Sequence, residues 1–258
     1  MKNNRLEQIE RILRVQKEAS VMELASRLKV SDMTIRRDLI ELEQKGIVDR
    51  YHGGASISAE ESQSLLPAKD EEIRPEGKTA IGQRAGQYLK ELLLCKEINS
   101  VMLMSGSTIS EMVRSIDYTI PVTAVTDNLD IACTLGKNAD NSVMLLGGKV
   151  YSPSMSVNGF LAEQMLDYLS ADCTFMGTSA IDEDGCIYCY DDKYASLLKK
   201  ILTISNRIIV LADHSKLGTA SLVKVSRMDE SFSLLTDEKA SEVYLEKYKE
   251  LGVKIIKA

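Results

Sequence analysis

Val21-Met-Glu-Leu-Ala-Ser-Arg-Leu-Lys-Val30 runs directly into Ser31-Asp-Met-Thr-Ile-Arg-Arg-Asp-Leu39. In the first segment Val21, Leu24, Ala25 and Leu28 recur at i, i+3, i+4 and i+7, which is one apolar face of a helix. Lys29-Val30 reads as a tight turn. Ser31 is a favourable N-cap, and Asp32 follows where the positive end of a helix dipole favours an acid. Ile35, Leu39 and Leu42 line the inner face of the second helix, and Gly46 stands where a helix ends at a C′ glycine. At about 100° per residue, Arg37 points away from Ile35 with Met33 and Thr34 on its flanks, and Arg36 lies at the side. A preceding helix, roughly residues 4–17, offers Leu6, Ile9 and Leu13 to this pair. Two short helices joined by a turn, the second with adjacent outward arginines, is how a helix is presented to the major groove of DNA.

The next stretch, Ile47-Val-Asp-Arg-Tyr-His-Gly-Gly-Ala-Ser56, is short, β-prone and broken by Gly53-Gly54. It suits a small hairpin, a wing whose Arg50 and His52 would touch backbone or minor groove. The plainer alternative for the arginines is a solvated helix face with local ion pairs to Asp38 and Glu41. Capped turn, buried stripe, outward arginines and wing agree with one another and favour the DNA-reading alternative. Residues 1–56 hold 11 Lys+Arg against 9 Asp+Glu, while the whole chain carries −6. A faintly basic head therefore sits on an acidic body that would keep away from phosphate. The candidate DNA-contacting residues are Ser31, Met33, Thr34, Arg36, Arg37, Arg50 and His52.

The set Val30-Ser-Asp-Met-Thr-Ile-Arg-Arg-Asp-Leu39, Leu42, Gly46 and Arg50-Tyr-His-Gly-Gly-Ala55 resembles the DNA-binding signature of the DeoR family of bacterial transcriptional regulators. For the rest of the chain the resemblance implies a sugar-phosphate-sensing domain related in fold to ribose-5-phosphate isomerase.

With 258 residues the chain has room for a head and a body with its own core. A 44% apolar and 27% charged content is ordinary for a soluble protein, and no apolar run reaches a membrane span. Met1-Lys-Asn-Asn-Arg-Leu-Glu7 lacks the apolar core of a signal peptide. Five cysteines are then expected to be reduced thiols in a cytoplasm. Cys186-Ile-Tyr-Cys189 has C-x-x-C spacing, but a structural zinc site wants four ligands, and His52 and His214, the chain's two histidines, lie elsewhere. Chance spacing is favoured over redox or metal use, and no metal or cofactor is expected.

The expected division is a winged helix-turn-helix at 1–57, a polar linker at 58–77 with Pro67 and Pro75, and an α/β body at 78–258. From Val101 on, short apolar runs alternate with helical stretches, which argues a mostly parallel, Rossmann-like sheet covered by helices. Strands are read at 101–104, 122–125, 143–146, 173–176, 208–212, 232–235 and 253–256. Helices are read at 108–116, 129–135, 160–169, 193–205 and 240–251.

In such sheets ligands bind beyond the carboxyl ends of the strands, and small polar residues gather there. Ser105-Gly106-Ser107-Thr108 opens a helix, where free amides and hydroxyls make an anion cradle. Thr126-Asp127-Asn128, Gly147-Gly148, Gly177-Thr178-Ser179 and Asp213-His214-Ser215-Lys216 follow later strands. The resemblance extends to these loops: Ser105–Thr108 is similar to the family's Ser-Gly-Thr-Thr phosphate loop, Gly147-Gly148 to its Gly-Gly, and Asp213–Lys216 to its Asp-x-Ser-Lys. It implies a phosphorylated sugar or similar metabolite held by Ser105, Gly106, Ser107, Thr108, Asp127, Gly147, Gly148 and Gly177, with Lys216 as the cation facing it; the alternative for Lys216 is an exposed surface lysine. The chain departs from the family at Met104 (usually Asp), Asp127 (usually Asn), Ala180 (usually Gly) and Tyr194 (usually Glu before Ala195).

The reading is thus a DNA-binding regulator, expected to be a repressor of carbohydrate genes. Its expected partners are double-stranded operator DNA, a sugar-phosphate effector and further copies of itself as a dimer or tetramer. Two alternatives stay open: an isomerase-like enzyme using Asp127 or Asp182, and a constitutive DNA-binding protein whose body only oligomerises.

Overall fold

The computed structural model describes residues 5, 6, 8, 9, 12, 13, 18–28, 30–44, 46–51, 53–57, 75–116, 119–152 and 154–258. The chain divides into two compact units, Met1–Asp70 and Glu71–Ala258. Most of the expected linker, 58–74, and His52 lie outside the described residues.

In the first unit residues 5, 6, 8, 9, 12 and 13 are helical. Strand β1 (Glu18–Ser20), helix α1 (Val21–Leu28), helix α2 (Asp32–Gln44) and strands β2 (Val48–Tyr51) and β3 (Gly54–Ile57) follow. Leu6, Ile9, Leu13, Val21, Leu24, Ala25, Ile35, Leu39, Leu42, Val48 and Ala55 close one core. The wing is larger than a hairpin: β1 joins β3 antiparallel, giving the order β1-β3-β2. Ser20 and Glu23 cap α1 reciprocally, Glu23 N–H donating to Ser20 Oγ at 3.2 Å and Ser20 N–H to Glu23 Oε2 at 2.9 Å. Gly46 has φ +71, the left-handed conformation that ends a helix with little strain only at glycine.

The second unit opens with helix α3 (Pro75–Leu94), which begins inside the stretch expected to be linker. Strands β4 (Val101–Leu103), β5 (Thr123–Thr126), β6 (Ser142–Leu145), β9 (Cys173–Gly177), β12 (Ile208–Leu211), β14 (Phe232–Thr236) and β15 (Lys254–Lys257) form one parallel sheet in the order β15-β14-β12-β9-β4-β5-β6. Helices α4 (Ser107–Arg114), α5 (Leu129–Leu135), α6 (Phe160–Leu166), α7 (Asp192–Thr203) and α8 (Glu242–Glu250) connect them. The central strands are nearly continuous buried apolar runs, as a sheet covered on both faces requires. Two separate apolar clusters bear this out, one containing Met102, Met176 and Val210 and the other Leu103, Phe175 and Leu211.

Two small antiparallel additions escaped the sequence reading. Strands β7 (Lys149–Tyr151) and β8 (Ser156–Asn158) make a hairpin, and β10 (Ala180–Ile181), β11 (Cys186–Cys189) and β13 (Val223–Arg227) make a three-stranded sheet. Among the described residues no helix is long and apolar enough to cross a membrane.

Candidate DNA-binding face and effector pocket

The α2 face is set by its cap and its buried stripe. Thr34 N–H donates to Ser31 Oγ at 3.3 Å, and the two hydroxyls lie 2.9 Å apart. Ile35, Asp38, Leu39 and Leu42 turn inward, and Met33, Arg36 and Arg37 are exposed. Met33 leaves a large apolar side chain 64% exposed beside the arginines. Asp38 is buried and held by the Arg5 guanidinium, Nε to Oδ2 at 2.5 Å and Nη2 to Oδ1 at 3.1 Å. It is therefore committed to the N-terminal helical segment, so the solvated ion-pair alternative for Arg36 and Arg37 loses that partner. Arg50 on β2 reaches Glu43 Oε2 at 3.1 Å, an exposed pair that ties the wing to the end of α2.

In the second unit, β4, β5 and β6 run outward to one side and β9, β12, β14 and β15 to the other. The order reverses between β4 and β9, the switch point beyond whose strand ends ligands of such sheets bind. Gly106 and Gly177 lie close together at that point: a Cβ on Gly106 would lie 3.9 Å from Gly177 Cα, and one on Gly177 would meet nothing within 4 Å. Helix α4 starts here with Gly106 as its N-cap and no side-chain cap, so no capping side chain takes its first amides, from Ser107 on.

Asp127 holds this loop from beneath. Ser105 N–H donates to Asp127 Oδ1 at 2.7 Å, and Tyr194 Oη–H to the Ser105 carbonyl at 3.3 Å. Asn128 caps α5 by accepting from Ile131 N–H at 3.0 Å and donates to Ser105 Oγ at 3.3 Å. Asp127 is fully enclosed, and its Oδ2 has no hydrogen-bond partner among the described residues. Desolvation pushes its carboxyl up to about 7, against the opposing pull of the Ser105 hydrogen bonds. Burial likewise holds the Tyr194 phenol well above its ordinary value, with the Asp127 carboxyl adding to the shift.

The loops do not all meet. Ser105, Gly106, Ser107, Thr108, Asp127 and Gly177 come together with Asn128 and Tyr194, which the sequence reading left outside its binding set. Gly147 and Gly148 follow β6, the neighbour of the β5 strand that leads into Asp127, and Lys216 follows β12, the neighbour of β9 that carries Gly177, so these loops flank the cluster rather than enter its hydrogen bonds. Gly148 has a local reason: at φ +147, a Cβ would sit 2.8 Å from Val157 Cγ1, at the open end of the β7–β8 hairpin. In the Asp213–Lys216 turn, Asp213 Oδ1 accepts from Ser215 N–H at 2.9 Å, and His214 Nδ1 lies 2.6 Å from Asp237 Oδ2. Cys186 and Cys189 are buried on β11 with unjoined thiols.

Similarity to known proteins covers both units. Residues 5–61 match the model of the DeoR-like helix-turn-helix domain, and residues 73–238 that of the DeoR C terminal sensor domain. A protein of Escherichia coli O157:H7 named for transcriptional repression of the aga operon is 30% identical, over 98% of this chain and 93% of its own. The glycerol-3-phosphate regulon repressor of Escherichia coli K12 is 28% identical, over 84% of each chain. The HTH-type transcriptional regulator GlpR of Haloferax volcanii is 29% identical, over 92% of this chain and 90% of its own.

Proposed function

We propose, from the premise that this chain belongs to the DeoR family of DNA-binding transcriptional regulators, that it represses carbohydrate-metabolism genes until a phosphorylated sugar or sugar alcohol enters its sensor domain. The observation that carries this reading is the pairing, in one chain, of a capped helix with outward Arg36 and Arg37 and a sheet switch point at which a helix begins without a side-chain cap. Arg36 and Arg37 would supply base-edge and phosphate contacts, Met33 and Thr34 apolar contact with a thymine methyl, and Ser31 and Arg50 backbone contacts. His52 belongs to the same proposed interface by its place in the wing sequence.

In the body, Ser105–Thr108 would receive the phosphate on amides and hydroxyls, and Gly177 leaves room for the carbon chain beside it. Asp127 and Tyr194 support the loop from below. Gly147, Gly148 and Lys216 would serve the far ends of a longer ligand. Binding is favoured over turnover because Asp127, the carboxyl nearest the cradle, is enclosed and committed to Ser105 N–H. A base for isomerisation has to stand open beside the sugar carbons. We place the protein in the cytoplasm as a dimer or tetramer that reads repeated half-sites, with double-stranded operator DNA and the effector as its partners and no cofactor or metal.

The test is a gel-shift assay on genomic promoter fragments, repeated with a panel of phosphorylated sugars and sugar alcohols. Retardation abolished by one member of the panel, with no turnover of pentose or hexose phosphates, is the expected result. Retardation that no member alters would favour the constitutive alternative.

A further inference from the structure

Lys78 is 7% exposed, and among the described residues its ammonium has no hydrogen-bond partner. It sits in the first turn of α3, where the helix dipole presents its positive pole. An unpaired buried ammonium is costly, and a position at a positive pole adds to that cost. A carboxylate described near this turn is Asp237, whose Oδ2 lies 3.8 Å from where a Gly77 Cβ would stand. It is taken by His214, through the backbone N–H to Oδ1 at 2.7 Å and through Nδ1 to Oδ2 at 2.6 Å.

The α3–α4 contact shows where Lys78 stands. Lys78, Gly82 and Gly86 are spaced at i, i+4 and i+8, one row along a helix. A Cβ on Gly82 would come within 2.7 Å of Glu111 Cβ and 2.8 Å of Met112 N, and one on Gly86 within 2.6 Å of Ser115 Oγ. The contact advances four residues on α3 for about four on α4, so the helices run side by side in the same direction. One turn earlier, the same row brings Lys78 level with Ser107–Thr108. Helical side chains lean toward the N-terminus, so its ammonium is carried toward the uncapped amides of α4.

We propose that Lys78 is the principal cation of the effector site, binding a phosphate dianion jointly with the N-terminal amides of α4. This rests on the reading of Ser105–Thr108 as an anion cradle and takes that role from Lys216, which stands on the loop after β12. One helix N-terminus and one ammonium then share a single anion, which selects a compact dianion over a neutral sugar.

The test follows thermal unfolding of the full chain in inorganic phosphate and in chloride at matched ionic strength, with calorimetric titration of phosphate. The wild type should melt higher in phosphate. Lys78→Met should lose that gain and bind phosphate at least about tenfold more weakly, yet melt at or above the wild type in chloride, because a buried unpaired charge has been removed. Lys78→Gln gives a second, polar version of the same comparison. Equal stabilisation of wild type and both variants by phosphate would overturn the assignment while leaving the cradle in place. A marked loss of stability in chloride for both variants would make the lysine structural and also overturn it. A wild type indifferent to phosphate would remove the anion site itself.

Discussion

Asp127 combines two demands on one carboxyl: it must accept the Ser105 N–H that shapes the cradle, and it must sit wholly out of water. Desolvation raises its folded-state pKa to about 7, above an ordinary value near 4 in the unfolded chain. Between these values the native state keeps a proton that the unfolded state has released. Stability contributed by the protonated carboxyl is therefore present below about pH 4, declines as pH rises toward 7 and is flat above. Asp127→Asn keeps an oxygen for Ser105 N–H and cannot ionise. It should raise stability above neutrality by a few kcal/mol at most, on the order of the shift itself, and remove the slope between pH 4 and 7. Denaturant midpoints of the two proteins across that range measure this, and parallel pH profiles would contradict it. The same variant cannot carry a negative charge beneath the cradle, so it should also tighten phosphate binding at pH 8 more than at pH 6.

At the scale of elements, the α3–α4 contact depends on Gly82. An added methyl there would sit 2.7 Å from Glu111 Cβ and 2.8 Å from a backbone nitrogen, which cannot swing aside. Gly82→Ala should cost about 1–3 kcal/mol despite its better helix propensity, visible as a lower melting temperature. A neutral or stabilising effect would mean that the helices part freely. The recognition helix carries a different expectation. Arg36→Ala and Arg37→Ala leave the core of α2 untouched, so both should fold normally, weaken operator binding and flatten its salt dependence by about one unit of slope if the lost contact is to phosphate. An arginine that reads a base edge would instead relax sequence preference with little change of slope, and competition with altered sites in fluorescence anisotropy separates the two.

What the sequence made legible follows the same physics. The seven parallel strands were each visible as short apolar runs, within a residue or two of the observed bounds, the central ones because both of their faces are covered, whereas β6 leaves Met144 and Leu145 exposed. Helix α3 drew no assignment, although Ile81, Ala85, Tyr88, Leu89 and Leu92 form its buried stripe at helical spacing, while Lys78, Gly82 and Gly86 make the row facing α4. The strands β1, β7, β8 and β10 have two or three residues each, too few for a period to show, and pairing alone creates them. Around the switch point, Ser105–Thr108 could be found as a motif. The service of Asn128 and Tyr194 to the same loop depends on contacts that no local pattern encodes, and nothing in the sequence marks Lys78 as buried.

For the whole molecule the two units are useful together only if their equilibria are linked. An effector that lowers operator affinity by some factor must itself bind the DNA-bound protein more weakly by the same factor. Linkages of this kind usually span about 5–150-fold. The effector found by the promoter screen supplies the probe. Operator affinity is measured by anisotropy with and without saturating effector, and effector affinity by calorimetry with and without saturating operator DNA. The two ratios should agree within error and both collapse toward one in Lys78→Met if the site is the cradle at the start of α4, while that variant's operator affinity without effector stays at the wild-type value. A variant that still releases DNA in response to the effector would place the sensing site elsewhere in the body. A wild type whose two ratios disagree would mean that more than one effector site is coupled to the DNA.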